Sequence, residues 1–97
     1  MEKRLGVIAI LLTKTDSVDR LNRLLSDFGG IILARQGLPL REKGINVISL
    51  VVEADTDRIG ALTGKIGRLD GCKVKSVLTD FREDADDDEH REEADGN

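Results

Sequence analysis

Residues 45–54, Ile45-Asn46-Val47-Ile48-Ser49-Leu50-Val51-Val52-Glu53-Ala54, set apolar side chains almost shoulder to shoulder. Side chains along a strand point alternately to the two faces of a sheet, so a near-continuous apolar run describes a strand buried on both. Residues 5–12 form a second run of this kind, with Val7, Ile8 and Ile10 β-branched. That run is too short to span a membrane and no signal-type cleavage site follows it. Both stretches are therefore expected to be central strands of one sheet.

Working outward, Asp16 and Ser17 offer an N-cap, and Val18, Leu21, Leu24, Leu25 and Phe28 recur at helical spacing until Gly29 and Gly30 stop the pattern. On the outer face of this helix Asp16 and Arg20, and Asp19 and Arg23, are spaced for ordinary i, i+4 ion pairs. Residues 31–38 read as a strand broken by Arg35, Gln36 and Gly37 and closed off by Pro39, which suits a sheet edge. A loop at 39–44 leads into the 45–54 strand. Asp55 or Thr56 caps a second helix through Ile59, Leu62, Ile66 and Leu69, ending before Gly71. Residues 73–81 alternate in polarity and suit a second edge strand.

The order is β-α-β-β-α-β with the first and third strands the most apolar. This is the split βαβ arrangement, in which those two strands lie side by side in the middle of the sheet. The expected fold is α+β, a ferredoxin-like βαββαβ sandwich: a four-stranded antiparallel sheet of order 4-1-3-2 with two helices on one face. Two helices cover one face only, yet both central strands offer apolar side chains to the other. Roughly 400 Å² of bare sheet is unusual on a monomer, so a homodimer is expected.

Composition bounds the function. Ninety-seven residues, 39% of them hydrophobic, support one core. Residues 1–81 carry 13 Lys/Arg against 10 Asp/Glu, while 82–97 carry 2 against 9. The expected organisation is a domain at 1–81 followed by an acidic, disordered tail at 82–97. A near-neutral domain with only Phe28 and Phe81 as aromatics lacks both the basic field and the stacking rings of nucleic-acid binders, so no direct nucleic-acid contact is expected. Cys72 is the sole cysteine, which rules out an intramolecular disulfide and points to the cytoplasm.

Several motifs fail on inspection. Asp84, Asp86 and Asp88 have the opening spacing of a calcium loop, but Glu89 stands where Gly is required and Asp95 at the twelfth position. The only histidine, His90, sits in the same acidic stretch, so no metal site and no Ser/His/Asp or Cys/His constellation can be assembled. Gly60, Gly64 and Lys65 miss the phosphate-loop spacing by one residue, with Ile66 in place of Ser/Thr. The three helical glycines, Gly60, Gly64 and Gly67, are expected to permit close backbone packing. No catalytic residue, cofactor or metal is expected. What stands out is Arg35-Gln36-Gly37-Leu38-Pro39-Leu40-Arg41-Glu42-Lys43-Gly44, the densest cluster of cations with Gly and Pro. It reads first as a solvated connection between antiparallel strands and second as a dock for an anion or partner, in which Arg35, Arg41 and Lys43 offer N–H donors to carboxylate or phosphate.

On four blocks the chain resembles the proposed regulators of the iron-only ([FeFe]) hydrogenase system, a family related to ACT-like domains and to the C-terminal domains of nickel regulators. These are the opening V-I-A-I-L-L strand, D-S-V-D-R-L-N-x-L-L, R-x-G-L-P-x-R-E-K-G-I and A-L-T-G-K-I-G-x-L-x-G, spanning 4–79. The resemblance implies a dimerising ferredoxin-like domain with a regulatory role and no established reaction. Carried over by motif position, the candidate ligand- or partner-binding residues are Arg35, Gly37, Pro39, Arg41, Lys43, Gly44, Gly64, Lys65 and Gly67. Nickel-responsive regulators add a ribbon-helix-helix segment for DNA and His/Cys metal ligands, and this chain has neither. The function expected is therefore a non-enzymatic homodimeric sensor or adaptor, its partner a protein of the hydrogenase system or a small anionic effector. The alternatives are a purely protein-binding accessory module for hydrogenase maturation and, third, an enzyme relying on Asp, Glu or Lys.

Overall fold

A computed structural model describes residues 2–83. Its elements run β1 (Lys3–Leu12), α1 (Val18–Asp27), β2 (Ile32–Leu40), β3 (Ile45–Ala54), α2 (Thr56–Gly67) and β4 (Cys72–Glu83), with short 3-10 turns at Thr15–Ser17, Gly29–Ile31 and Arg41–Lys43. The four strands form one antiparallel sheet in the order β2-β3-β1-β4. Counted from the β4 edge, that sequence of neighbours is 4-1-3-2, with the two most apolar strands at the centre.

Residues directly opposite one another across a ladder share a face. Ile8 opposite Leu50 and Ile10 opposite Ile48 therefore define the helix-bearing face. There they join Leu21 and Leu25 of α1 and Ile59, Leu62 and Ile66 of α2 in a core whose members are all buried. Burying each such Leu or Ile contributes about 1.5–3 kcal/mol, which is why these helices form where isolated peptides of their length would not.

Burial on both faces, expected from the apolar runs, is not what the single chain achieves. The opposite face carries Leu5, Val7, Ala9 and Leu11 of β1 against Val47 and Val51 of β3, and Val7 stays 42% exposed and Val77 66%. Both helices lie on the other side, with the core between them and the sheet.

The strand ends differ from expectation for identifiable reasons. β2 continues through Pro39 to Leu40, pairing Pro39 with Asn46, because an edge strand tolerates a missing donor. It bulges between Ile32 and Ala34, leaving Leu33 outside the ladder and 59% exposed. Strand β4 runs through Arg82 and Glu83, two residues beyond the expected domain limit; the remaining acidic stretch, 84–97, with the failed calcium loop and His90, lies outside the described residues.

Opposite the Arg4–Gly6 segment β4 carries a larger irregularity, with Leu78 facing Gly6 and Arg82 facing Arg4. Side chains replace the lost ladder bonds. The Thr79 hydroxyl donates to the Leu5 carbonyl at 2.7 Å and Arg4 Nη2 donates to the Thr79 carbonyl at 2.8 Å.

Capping is half as expected. Asp55 caps α2, its Oδ1 accepting from the Arg58 N–H at 2.8 Å. Ser17 precedes α1 but makes no side-chain cap; its hydroxyl donates to the Asp70 carbonyl at 2.7 Å, tying the start of α1 to the turn after α2. The i, i+4 pairs expected on α1 do not form among the described residues, whereas Arg4–Asp80 at 3.8 Å and Lys14–Asp70 at 3.2 Å do. Asp16 belongs to the 3-10 turn, where four-residue spacing no longer aligns side chains, and an exposed pair such as Asp19–Arg23 gains too little to hold two long side chains in one geometry.

Candidate functional site

The candidate residues occupy three separate places. At the tip of the β2–β3 hairpin, Arg41, Glu42 and Lys43 form the 3-10 turn and Gly44 closes it in the left-handed region at φ 67°, a conformation that favours glycine. With Pro39 and Leu40 they line a shallow concavity of about 330 Å³. Arg41 and Lys43 are exposed, and neither engages a carboxylate within the described residues. Their donors are free to face solvent or a ligand.

Arg35 is elsewhere. It lies on β2 opposite Leu50, hence on the helix-bearing face, and its Nη2 donates to Asn22 Oδ1 of α1 at 2.8 Å. The guanidinium thus braces the edge strand against a helix and does not join the hairpin-tip cations. Gly37, on the same edge, has open space where a side chain would be: an added Cβ would meet nothing within 4 Å.

The third place is α2. Lys65 directs Nζ to 5.5 Å from the centroid of the Phe28 ring at the end of α1. Phe28 is adjacent to the start of β2 and the hairpin tip to its end, so the strand's length separates Lys65 from Arg41 and Lys43. The close packing expected of the helical glycines is found only at Gly67, where a Cβ would stand 3.4 Å from Val74 Cγ1; at Gly60 and Gly64 it would meet nothing within 4 Å.

Arg58 was not singled out from the sequence, yet its Cζ lies 6.0 Å from the same Phe28 centroid. Each such cation–ring contact contributes about 0.5–1 kcal/mol at an exposed site. The available signal was spacing, since Arg58 and Lys65 are seven residues, two turns, apart on one helix face.

Cys72 is buried, and its thiol is raised above its ordinary pKa, first by that burial and then by the nearby Asp70 charge, which disfavours the reactive thiolate. Among the described residues no group of three or more His, Cys, Asp or Glu side chains is placed to hold a metal ion. No helix among them is long and apolar enough to cross a membrane.

The family model described as "TM1266-like: Iron-only hydrogenase system regulator, putative" matches residues 4–76. This chain belongs to the TM1266-like family. Among solved structures it is similar to uncharacterized protein TM1266 from Thermotoga maritima, at 39% identity and a TM-score of 0.76 over 78% of this chain and 96% of that one. The match stops short of the acidic stretch, so family membership rests on the β1-to-β4 domain alone. Divalent ion tolerance protein CutA1 from Ehrlichia chaffeensis is 14% identical with a TM-score of 0.43 over 96% of this chain and 94% of that one, a likeness too slight to bear on function. No curated protein matches. All three candidate places, the hairpin tip, Arg35 and the Gly64–Gly67 segment of α2, fall inside the stretch that this TM1266-like chain shares with its family.

Proposed function

We propose that the chain is a non-enzymatic regulatory module of the iron-only hydrogenase system that works as a homodimer, joined through its open sheet face in a ferredoxin-like, ACT-like arrangement. As a dimer it receives a small anionic effector or a partner protein at its cationic surfaces. The observation that carries this reading is the helix-free face of the sheet. Two of its cross-strand rows are apolar, Val51 with Val7 and Val77 and Val47 with Leu11; the row between them sets Ala9 and Ser49 beside Gln36 and Lys75, with Lys73 on β4 and Glu53 on β3 at the margins. Exposed apolar rows flanked by charged margins have the anatomy of a protein interface.

Size supports the same partner. Strands of 9–12 residues at about 3.3 Å per residue and about 4.8 Å apart span roughly 600 Å² of sheet. A stable interface removes about 800 Å² per partner, a figure that this footprint approaches once side-chain relief is added. A second copy offers the same apolar rows, which a two-fold axis can lay against one another.

The test is subunit mass and retained ligand by native mass spectrometry, on protein purified without oxygen from cells making an iron-only hydrogenase. The expected species is a dimer, converted to monomer by Val7→Asp or Val77→Asp with the far-ultraviolet circular dichroism unchanged. A monomeric wild-type chain would overturn the dimer. A small molecule retained by wild type and lost on replacing Arg41 and Lys43 with alanine would assign the effector to the hairpin tip; retention by the double variant would remove it from there.

A further inference from the structure

The helical layer, on the side of the sheet away from the open face, gathers two cations around one ring. Arg58 Cζ is 6.0 Å and Lys65 Nζ 5.5 Å from the Phe28 centroid, so the charges are separated by no more than those two distances combined. Cations near one another on a helix surface are commonly paired through an interleaved carboxylate. Here none is interleaved: neither Arg58 nor Lys65 takes part in an ion pair among the described residues, and Asp55, near Arg58, spends its side chain on the helix cap. No described side-chain hydrogen bond uses the guanidinium of Arg58 or the ammonium of Lys65 as a donor. Phe28 is 9% exposed, packed into the core, so the ring is a fixed platform. The approach is bare as well. Gly64 adjoins Lys65, Gly29 and Gly30 follow Phe28, and at all three an added Cβ would meet nothing within 4 Å.

We infer that Arg58 and Lys65, positioned by Phe28, form an oxyanion-binding site that takes a phosphate or carboxylate group of a small ligand. The guanidinium supplies planar paired donors and the ammonium a point charge on a flexible stem, so the two long side chains can turn to one oxyanion and each gain a partner. The glycines leave room for the rest of the ligand to lie against backbone. The site goes beyond the dimer reading and does not depend on it, since it sits on the opposite layer and is complete within one chain. It also differs from the hairpin tip, where no ring fixes the cations.

The experiment is a proton–nitrogen correlation titration of the full chain, with inorganic phosphate in one arm and acetate in the other, sodium chloride holding ionic strength constant. The expected result is a saturable shift of the Arg58 side-chain and Gly64 and Lys65 backbone signals, at least ten-fold weaker in affinity in Arg58→Gln and in Lys65→Gln. An Arg41→Gln/Lys43→Gln double variant, which removes more charge at the hairpin tip, is expected to titrate as wild type. Saturation by phosphate alone assigns a phosphorylated ligand, and saturation by acetate a carboxylate ligand. Shifts that never saturate in either arm, or that weaken equally in the hairpin double variant, would overturn the site. Because subunit mass is not the readout, failure here leaves the dimer standing, and a monomeric chain leaves this site standing.

Discussion

Gly71 is the residue whose replacement has the most predictable cost. Its φ of 78° lies in the left-handed region, and an added Cβ would stand 2.6 Å from Lys14 Cβ and 3.0 Å from Lys14 N. The squeeze has a purpose, because the carbonyl of Gly71 accepts from the Thr13 N–H at 2.7 Å and holds the two connections at this end together. Gly44 shares the left-handed φ but faces open space. Gly44→Ala therefore carries the backbone penalty alone, about 1 kcal/mol, while Gly71→Ala adds displacement of the Lys14 main chain and should cost about 2–4 kcal/mol. Urea unfolding of both variants checks this; equal losses would mean that the Lys14 contact yields freely.

Helix α2 shows the opposite use of glycine. Gly60 and Gly64 sit inside it with negative φ and nothing within 4 Å of an added Cβ, so each weakens the helix by about 0.5–1 kcal/mol relative to alanine without any packing return in the chain itself. Gly60→Ala and Gly64→Ala should each raise stability by that amount in urea, and a loss at either position would reveal a contact absent from the described residues. The same helix marks how far the sequence was legible. Ile59, Leu62 and Ile66 are all buried as their spacing implies, because one apolar stripe and one capping Asp55 are local facts. Ser17 was misread since its hydroxyl answers to Asp70, far along the chain. Arg35 was grouped with Arg41 and Lys43 because nothing local announces that Asn22 waits on α1. For the candidate sites, Arg41, Lys43 and Lys65 were visible as cations beside glycine, whereas Arg58 gains its meaning only from Phe28 thirty residues earlier.

At the scale of the molecule, strand order and the misjudged burial have one origin. The apolar runs of β1 and β3 correctly marked them as neighbours in the sheet centre, but they also implied a cover for both faces, and the described residues of one chain supply one. If a second copy supplies the other, folding and association are linked, and the midpoint of thermal unfolding must depend on protein concentration. With about 80 ordered residues per chain at about 2.1 cal/mol/K each, two chains unfold with an entropy near 0.34 kcal/mol/K. A ten-fold rise in concentration stabilises the dimer by about 1.4–1.5 kcal/mol, so the midpoint should climb by roughly 4 °C per decade. Calorimetry across two decades of concentration checks this without any substitution. Val7→Asp, which buries a carboxylate against the partner's valines, should abolish the slope and leave a lower, concentration-independent midpoint. A flat wild-type midpoint would mean that the open face persists uncovered, and the reason for its apolar rows would then have to be sought in a different protein chain.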